Sequence, residues 1–189
     1  MYIQLASVGD LDAFFIHVQN QFDDNGMNGS PLFMPNNRGT ARVNDSMRFN
    51  YEYGIGTCYS DIGWRRVWLA KDDHGKVMGD AVLKRDELET SSHRVWLGMG
   101  VARECRGCGV GTALLKTVID YARRSSKIKW LDLEVLADNS SAIHLYQNQG
   151  FDIVCKLEDK YRIDGESISE YLMTKHVDDV FVNRAHQTK

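Results

Sequence analysis

Residues 105 to 111 read Cys-Arg-Gly-Cys-Gly-Val-Gly, and they support two incompatible structures. As Cys105-x-x-Cys108 the stretch has the spacing of a redox dithiol or of half a zinc site. As Arg106-Gly107-x-Gly109-x-Gly111 it is a loop of residues without bulk, suited to wrap a phosphate. Its surroundings bear on the choice. Downstream, Ala113, Leu114, Val118, Ile119 and Ala122 group at helical spacing in VGTALLKTVIDYARR. Upstream, HRVWLGMGVA (93–102) reads as a strand. A strand-to-helix junction offers about four unpaired N–H groups and the positive end of a helix dipole, so a small-residue loop there is suited to an anion.

Two further strand-like runs, RVWLAKD and KVMGDAVLKRD, precede residue 93 with DDHG as the turn between them, which predicts an antiparallel meander. The chain opens with a short strand, IQLA, and a helix capped by Asp10 that carries Leu11, Phe14, Phe15 and Val18 on one face. Residues 23–39 hold both prolines amid Asn and Gly and read as a long, mobile loop. A weakly helical, aromatic stretch follows, up to about Gly63. After the glycine loop and its helix, IKWLDLEVLA alternates Leu131, Leu133 and Val135 against Asp132 and Glu134, a half-buried strand. DNSSAIHLYQNQG is a helix with Asp138 or Asn139 as cap and Gly150 as stop. FDIVCKLE and ESISEYLMTK end the pattern as strands, joined as a closing hairpin through the turn-like Asp164-Gly165. The order is mixed α/β, with antiparallel strands leading into a helix crossover.

Three kinds of phosphate loop compete for residues 105–112. A nucleotide-triphosphate loop requires Gly-Lys-Ser/Thr, and here Gly111 is followed by Thr112 and Ala113. A dinucleotide fold requires G-x-G-x-x-G after the opening strand of a parallel unit, and the position three after Gly109 is Thr112. The stretch does match Arg/Gln-x-x-Gly-x-Gly/Ala. Downstream stands Asn139-Ser-Ser-Ala142-Ile-His-Leu-Tyr146-Gln-Asn-Gln-Gly150-Phe151, matching Asn-x-x-Ala-x-x-x-Tyr-x-x-x-Gly-Phe in full. On these two motifs the chain resembles the GCN5-related N-acetyltransferases (GNAT) over roughly residues 65–176. The resemblance implies a mostly antiparallel central sheet of about six or seven strands flanked by about four helices, and acetyl-CoA as co-substrate.

The resemblance also assigns roles. Arg106 and the backbone N–H groups of Gly107, Cys108, Gly109, Val110, Gly111 and Thr112 hold the CoA pyrophosphate. Met99, Gly100 and Val101 lie where the pantetheine arm pairs with strand backbone; independently, Gly98 and Gly100 inside a strand mark a bulge or a close approach by another chain. Asn139 caps its helix and contacts CoA. Tyr146 sits at the position whose hydroxyl faces the CoA sulfur and serves as the acid. Glu134, twelve residues before it, is the candidate base, with Asp132, Glu52, Asp80 or an amine that arrives deprotonated as alternatives. An alkyl ammonium has a pKa of about 10 and must lose a proton before attack, and the departing thiolate requires an acid.

Composition bounds the rest. With 23 Lys plus Arg against 26 Asp plus Glu, no basic excess calls for nucleic acid or an anionic membrane. No apolar run approaches the roughly 18 residues of a membrane helix, and no signal pattern opens the chain, so a cytoplasmic protein is expected. Cys58, Cys105, Cys108 and Cys155 are too few and irregular for a secreted disulfide framework. Neither a second close Cys pair nor an H-x3-5-H spacing completes a zinc site around Cys105 and Cys108, so no metal is expected. The basic run Arg123, Arg124, Lys127 and Lys129 reads as a solvated helix end, with a CoA phosphate contact as the minority reading. Residues 1–178 are expected to form a single domain, monomeric or homodimeric, with 1–64 on the acceptor side and 179–189 a tail. The acceptor is expected to be a small-molecule amine, with a peptide N-terminus or lysine as the alternative. The rivals are a CoA-binding sensor without catalysis and a thiol redox or metal protein.

Overall fold

The computed structural model describes residues 1–178. In chain order the elements are β1 (Tyr2–Leu5), α1 (Leu11–Asp24), α2 (Asp45–Gly56), β2 (Arg65–Lys71), β3 (Val77–Arg85), β4 (Arg94–Val101), α3 (Val110–Arg124), β5 (Trp130–Leu136), α4 (Ser140–Asn148), β6 (Asp152–Ile163) and β7 (Glu166–His176). The seven strands form one sheet in the order β1-β2-β3-β4-β5-β7-β6. Every neighbouring pair is antiparallel except β4 and β5. The expected meander, crossover helix and closing hairpin are all present.

Strand alternation gives the sheet two buried faces. On one, Trp68, Ala81, Leu83 and Leu97 pack against Leu114, Leu115, Val118 and Ile119 of α3. Gly79 lets α3 approach: a Cβ there would stand 2.8 Å from the Gly100 carbonyl oxygen and 3.1 Å from Leu114 Cδ1. On the other face Val67, Leu69 and Val82 meet Leu11, Phe14 and Phe15 of α1. Trp64 and Trp68 are therefore core aromatics, while Tyr53 is exposed and stacks on Phe49.

The crossover leaves an opening. The parallel register of β4 and β5 runs from Arg94↔Trp130 to Trp96↔Asp132 and stops there, leaving Leu97–Val101 and Leu133–Leu136 without cross-pairing. Asp132 fastens the paired end. Its buried carboxylate accepts Arg94 Nε at 2.7 Å and Nη2 at 2.5 Å, and the Thr174 hydroxyl of β7 at 2.6 Å.

Three sequence expectations change. The 23–39 loop is tied down by Asn25, whose buried Oδ1 accepts the Phe33 and Met34 N–H groups at 2.8 and 2.9 Å and whose Nδ2 donates to the Met34 carbonyl. Asp10 makes no side-chain cap to α1; its carboxylate instead accepts the Ser7 N–H and pairs with Lys71 at 2.7 Å. The basic run lies at the C-terminal end of α3, a helix of fifteen residues, and so about 20 Å from the glycine loop at the other end; the phosphate-contact reading of that run falls. Residues 179–189, expected as a tail, lie outside the described residues. Among the described residues, no helix is long and apolar enough to cross a membrane.

Candidate active site

A cleft of about 660 Å³ opens where β4 and β5 part. Its walls are the unpaired ends of the two strands, the glycine loop and the first turns of α3 and α4.

The loop is shaped by backbone conformations that only glycine adopts without strain. Gly107 has φ 74° and Gly109 φ 81°, and no atom lies within 4 Å of where a Cβ would stand on either. Gly109 caps α3 in the left-handed conformation. The Ala113 N–H donates to the Gly109 carbonyl, so the N–H groups of Val110, Gly111 and Thr112 in the first turn have no helical partner. Val110 buries its side chain in the core, presenting only its backbone. Gly111 keeps α4 close, since a Cβ there would stand 3.2 Å from Leu145 Cδ2. Cys108 is exposed and its thiol reaches only the Arg106 carbonyl, at 3.7 Å.

The strand wall is equally bare. Ala102 donates its N–H to Met78 of β3, and alternation along the strand then turns the backbone of Met99 and Val101 toward the opening and that of Gly100 toward β3. The Val101 carbonyl accepts Arg106 Nε at 3.1 Å. The rest of the Arg106 guanidinium faces α1: Nη2 lies 2.6 Å from Asp24 Oδ2, and the group stacks 4.8 Å over the Phe33 ring. Burial pushes the Asp24 carboxyl up, but the Ser30 hydroxyl and the Arg106 and Arg103 guanidiniums outweigh it and hold the group below its ordinary value.

Tyr146 lies on α4, 7% exposed and tilted against Phe151. Its hydroxyl has no hydrogen-bond partner among the described residues, and the residue borders the cleft. Burial, and then the charge of Asp80, pushes the phenol up to about 12. Glu134 also borders the cleft, but it is exposed and 2.8 Å from the Lys160 ammonium, which it shares with Glu170. Asn139 caps α4 by accepting the Ala142 N–H, and it borders the cleft too. Of the other proposed carboxylates, Asp132 is consumed by Arg94 and Glu52 is exposed on α2.

Burial pushes the Cys105 thiol up, and the Glu104 carboxylate adds to this, opposite to what a reactive thiolate requires. No group of three or more metal-ligating side chains occurs among the described residues.

Sequence reasoning missed Asp24 as the partner of Arg106, and it missed His17 and Gln21. The last two break the apolar stripe of α1 one turn apart, and both are nearly fully buried. A polar pair on a buried helix face was the available signal.

The model of the acetyltransferase (GNAT) family matches residues 40–151, more than half of the chain. An uncharacterised N-acetyltransferase of Methanocaldococcus jannaschii is 40% identical over 70 residues, 37% of this chain and 44% of the relative. The L-amino acid N-acetyltransferase of Escherichia coli is 28% identical over 102 residues, 53% of this chain and 62% of the relative. The matches thus span about half the length of these curated relatives. A phosphinothricin acetyltransferase from Sinorhizobium meliloti, solved in complex with acetyl-CoA, superposes with TM-score 0.76 at 17% identity, covering 93% of this chain and 87% of that one. With the parted strands, the glycine loop and the buried tyrosine, these matches place the chain in the GNAT acetyltransferase family.

Proposed function

We propose that the protein moves an acetyl group from acetyl-CoA to the amine of a small molecule, by direct attack in a ternary complex, with residues 1–178 acting as one transfer unit. The observation that carries this reading is the continuity of the cleft. An unpaired strand edge, Leu97–Val101, runs into the open N-terminus of α3, with Tyr146 on the bordering wall.

Each part of the co-substrate has a matching surface. The N–H groups of Gly107, Gly109, Val110, Gly111 and Thr112 supply donors and a positive dipole end for the pyrophosphate. Met99 and Val101 present backbone to an amide-bearing arm, as a neighbouring strand would. A strand N–H beside the thioester carbonyl steadies the oxyanion that forms on attack. Tyr146, neutral through the physiological range, gives its proton to the sulfur as the carbon–sulfur bond breaks. Asn139 contributes a polar edge while it caps α4.

The acceptor side supports a small molecule. A pocket of about 380 Å³ between α1, α2 and β4 meets the main cleft at Gln21, Met34 and residues 97–100, a size that suits a ligand rather than a docked chain. The E. coli relative named above acts, by its name, on L-amino acids. Incubation with acetyl-CoA and a panel of amino acids, polyamines and short peptides, read as thiol release, tests the proposal. Release with one class of amine is expected. Tight acetyl-CoA binding with no release on any amine would favour the sensor, and loss of activity on changing Cys105 and Cys108 to Ser, with acetyl-CoA affinity intact, would favour the thiol rival.

A further inference from the structure

Three buried polar side chains meet at the seam where the acceptor pocket, the cleft and a neighbouring groove approach one another: Asp80 lines the pocket, Gln21 borders pocket and cleft, and His17 lines the groove. Among the described residues none has an aligned side-chain hydrogen bond. The Asp80 side chain on β3 is 9% exposed, and its carboxylate receives no hydrogen bond among the described residues. His17 is 4% exposed, and its Nε2 stands 3.1 Å from Asp80 Oδ1 off the line of a hydrogen bond, leaving that buried nitrogen unsatisfied. Gln21 is 3% exposed, with no side-chain hydrogen bond among the described residues, and borders both the pocket and the cleft. Buried groups of this kind cost stability unless a partner satisfies them. Gly100 makes the gathering possible, because a Cβ there would stand 2.9 Å from Asp80 Oδ1 and 3.5 Å from Gln21 Cγ. Asp80 is thus set directly behind the strand residue that borders the thioester in the transfer reading.

We infer that Asp80 receives the acceptor's ammonium group and takes its proton, with His17 and Gln21 as positioning residues; the inference rests on the acetyl-transfer reading and replaces Glu134 as the base. One N–H bond of the ammonium breaks and its proton goes to the Asp80 carboxylate. The freed lone pair forms the bond to the thioester carbon, and the carbonyl π pair moves to oxygen. Collapse breaks the carbon–sulfur bond, and the sulfur leaves with the electron pair and takes the Tyr146 proton. The second proton shed by nitrogen restores Tyr146, and the first leaves Asp80 for solvent with the product. The sum is an ammonium and a thioester giving an amide, a thiol and one proton. Glu134 is the weaker base on geometry, since Lys160 already occupies its carboxylate.

Charged and titratable groups face this seam from every side: Tyr51 of α2, Arg65 of β2, Lys84 of β3 and Tyr146 of α4, with Lys76 and Glu104 at the groove beyond His17. The test therefore compares variants under identical buffers. The acceptor used is the amine with the fastest turnover in the panel, and kcat/KM is followed against pH for wild type, Asp80→Asn, His17→Gln and Glu134→Gln, with acetyl-CoA affinity measured by calorimetry. Asp80→Asn is expected to lose about 10² to 10³-fold in kcat/KM near neutrality with acetyl-CoA affinity unchanged. Its deficit should shrink tenfold per pH unit toward the amine's own pKa, because solvent then supplies the free amine. His17→Gln is expected to lose about tenfold in kcat with the KM for acetyl-CoA unchanged, and Glu134→Gln to lose little. The inference is overturned if Asp80→Asn keeps the wild-type rate and profile, or if it loses activity and acetyl-CoA affinity together by the same factor at every pH. Should Asp80→Asn not fold, an unchanged kcat in His17→Gln with a collapse in Glu134→Gln overturns it equally. A wild type that binds acetyl-CoA but turns over no amine defeats the transfer reading itself.

Discussion

At the scale of single residues the proposed chemistry depends on a tyrosine that keeps its proton. Burial, and then the charge of Asp80, pushes the Tyr146 phenol up to about 12, so its proton is in place at neutral pH. Tyr146→Phe is expected to slow thiol release by about 10² to 10³-fold while acetyl-CoA affinity changes little, and no basic limb from this residue should appear below about pH 10 in the wild type. Calorimetry beside the turnover assay checks both. Gly109 gives a second test. With φ 81° an alanine there is strained by about 1 to 2 kcal/mol, and the strain falls on the turn that presents the Val110, Gly111 and Thr112 donors. Gly109→Ala should weaken acetyl-CoA binding roughly tenfold or more, and an unchanged affinity would show that the loop does not hold the phosphates. Both positions were legible beforehand, because the Tyr146 motif and the glycine spacing are short, local patterns. Asp80 was legible only as one carboxylate among several. Its distinction is burial beside His17, which arises from β3 and α1 meeting across 63 residues of chain, and no local pattern encodes that.

Among the elements, the parting of β4 and β5 is the decisive feature, and the Arg94–Asp132 pair fixes where it begins. Removing one partner of a buried pair leaves an uncompensated charge, so Arg94→Ala is expected to cost about 3 kcal/mol in denaturant unfolding and to weaken acetyl-CoA binding by letting the paired end loosen. The N-terminal strand has its own clamp. Lys71, and then the Ser7 N–H, hold the Asp10 carboxyl down at about 2, below its ordinary 3.8. A carboxyl depressed in the folded state stabilises above its unfolded pKa and loses that contribution as pH falls through its folded one. Asp10→Asn should therefore lower stability by about 1 to 2 kcal/mol at neutral pH, with the difference vanishing as the pH falls from about 4 to about 2. The antiparallel meander and the closing hairpin could be read from alternation and turn residues, whereas the place of β7 between β5 and β6 could not. The Asp10 clamp could not, because its partner stands 61 residues away on β2 and an Asp before an apolar helix reads as a cap.

For the whole molecule, the N-terminal segment and the glycine loop are tied together through Arg106. Its side chain reaches back from the glycine loop to Asp24 at the end of α1 and to Phe33 in the following loop. Sequence reasoning gave Arg106 to the phosphates alone and read residues 23–39 as free, since neither contact is local. Asp24→Asn should speed amide hydrogen exchange in residues 25–34, and an unchanged exchange rate would show that Asn25 alone secures the loop. One measurement tests acetyl transfer most directly: purified protein, acetyl-CoA and the amine panel, with thiol release followed and products weighed by mass spectrometry, for wild type and Tyr146→Phe. Thiol release matched by an amine heavier by one acetyl group is expected, with a rate lower by about two orders of magnitude in the variant. Acetyl-CoA turnover that is equal in the two proteins, or thiol release with no acetylated amine, would contradict it.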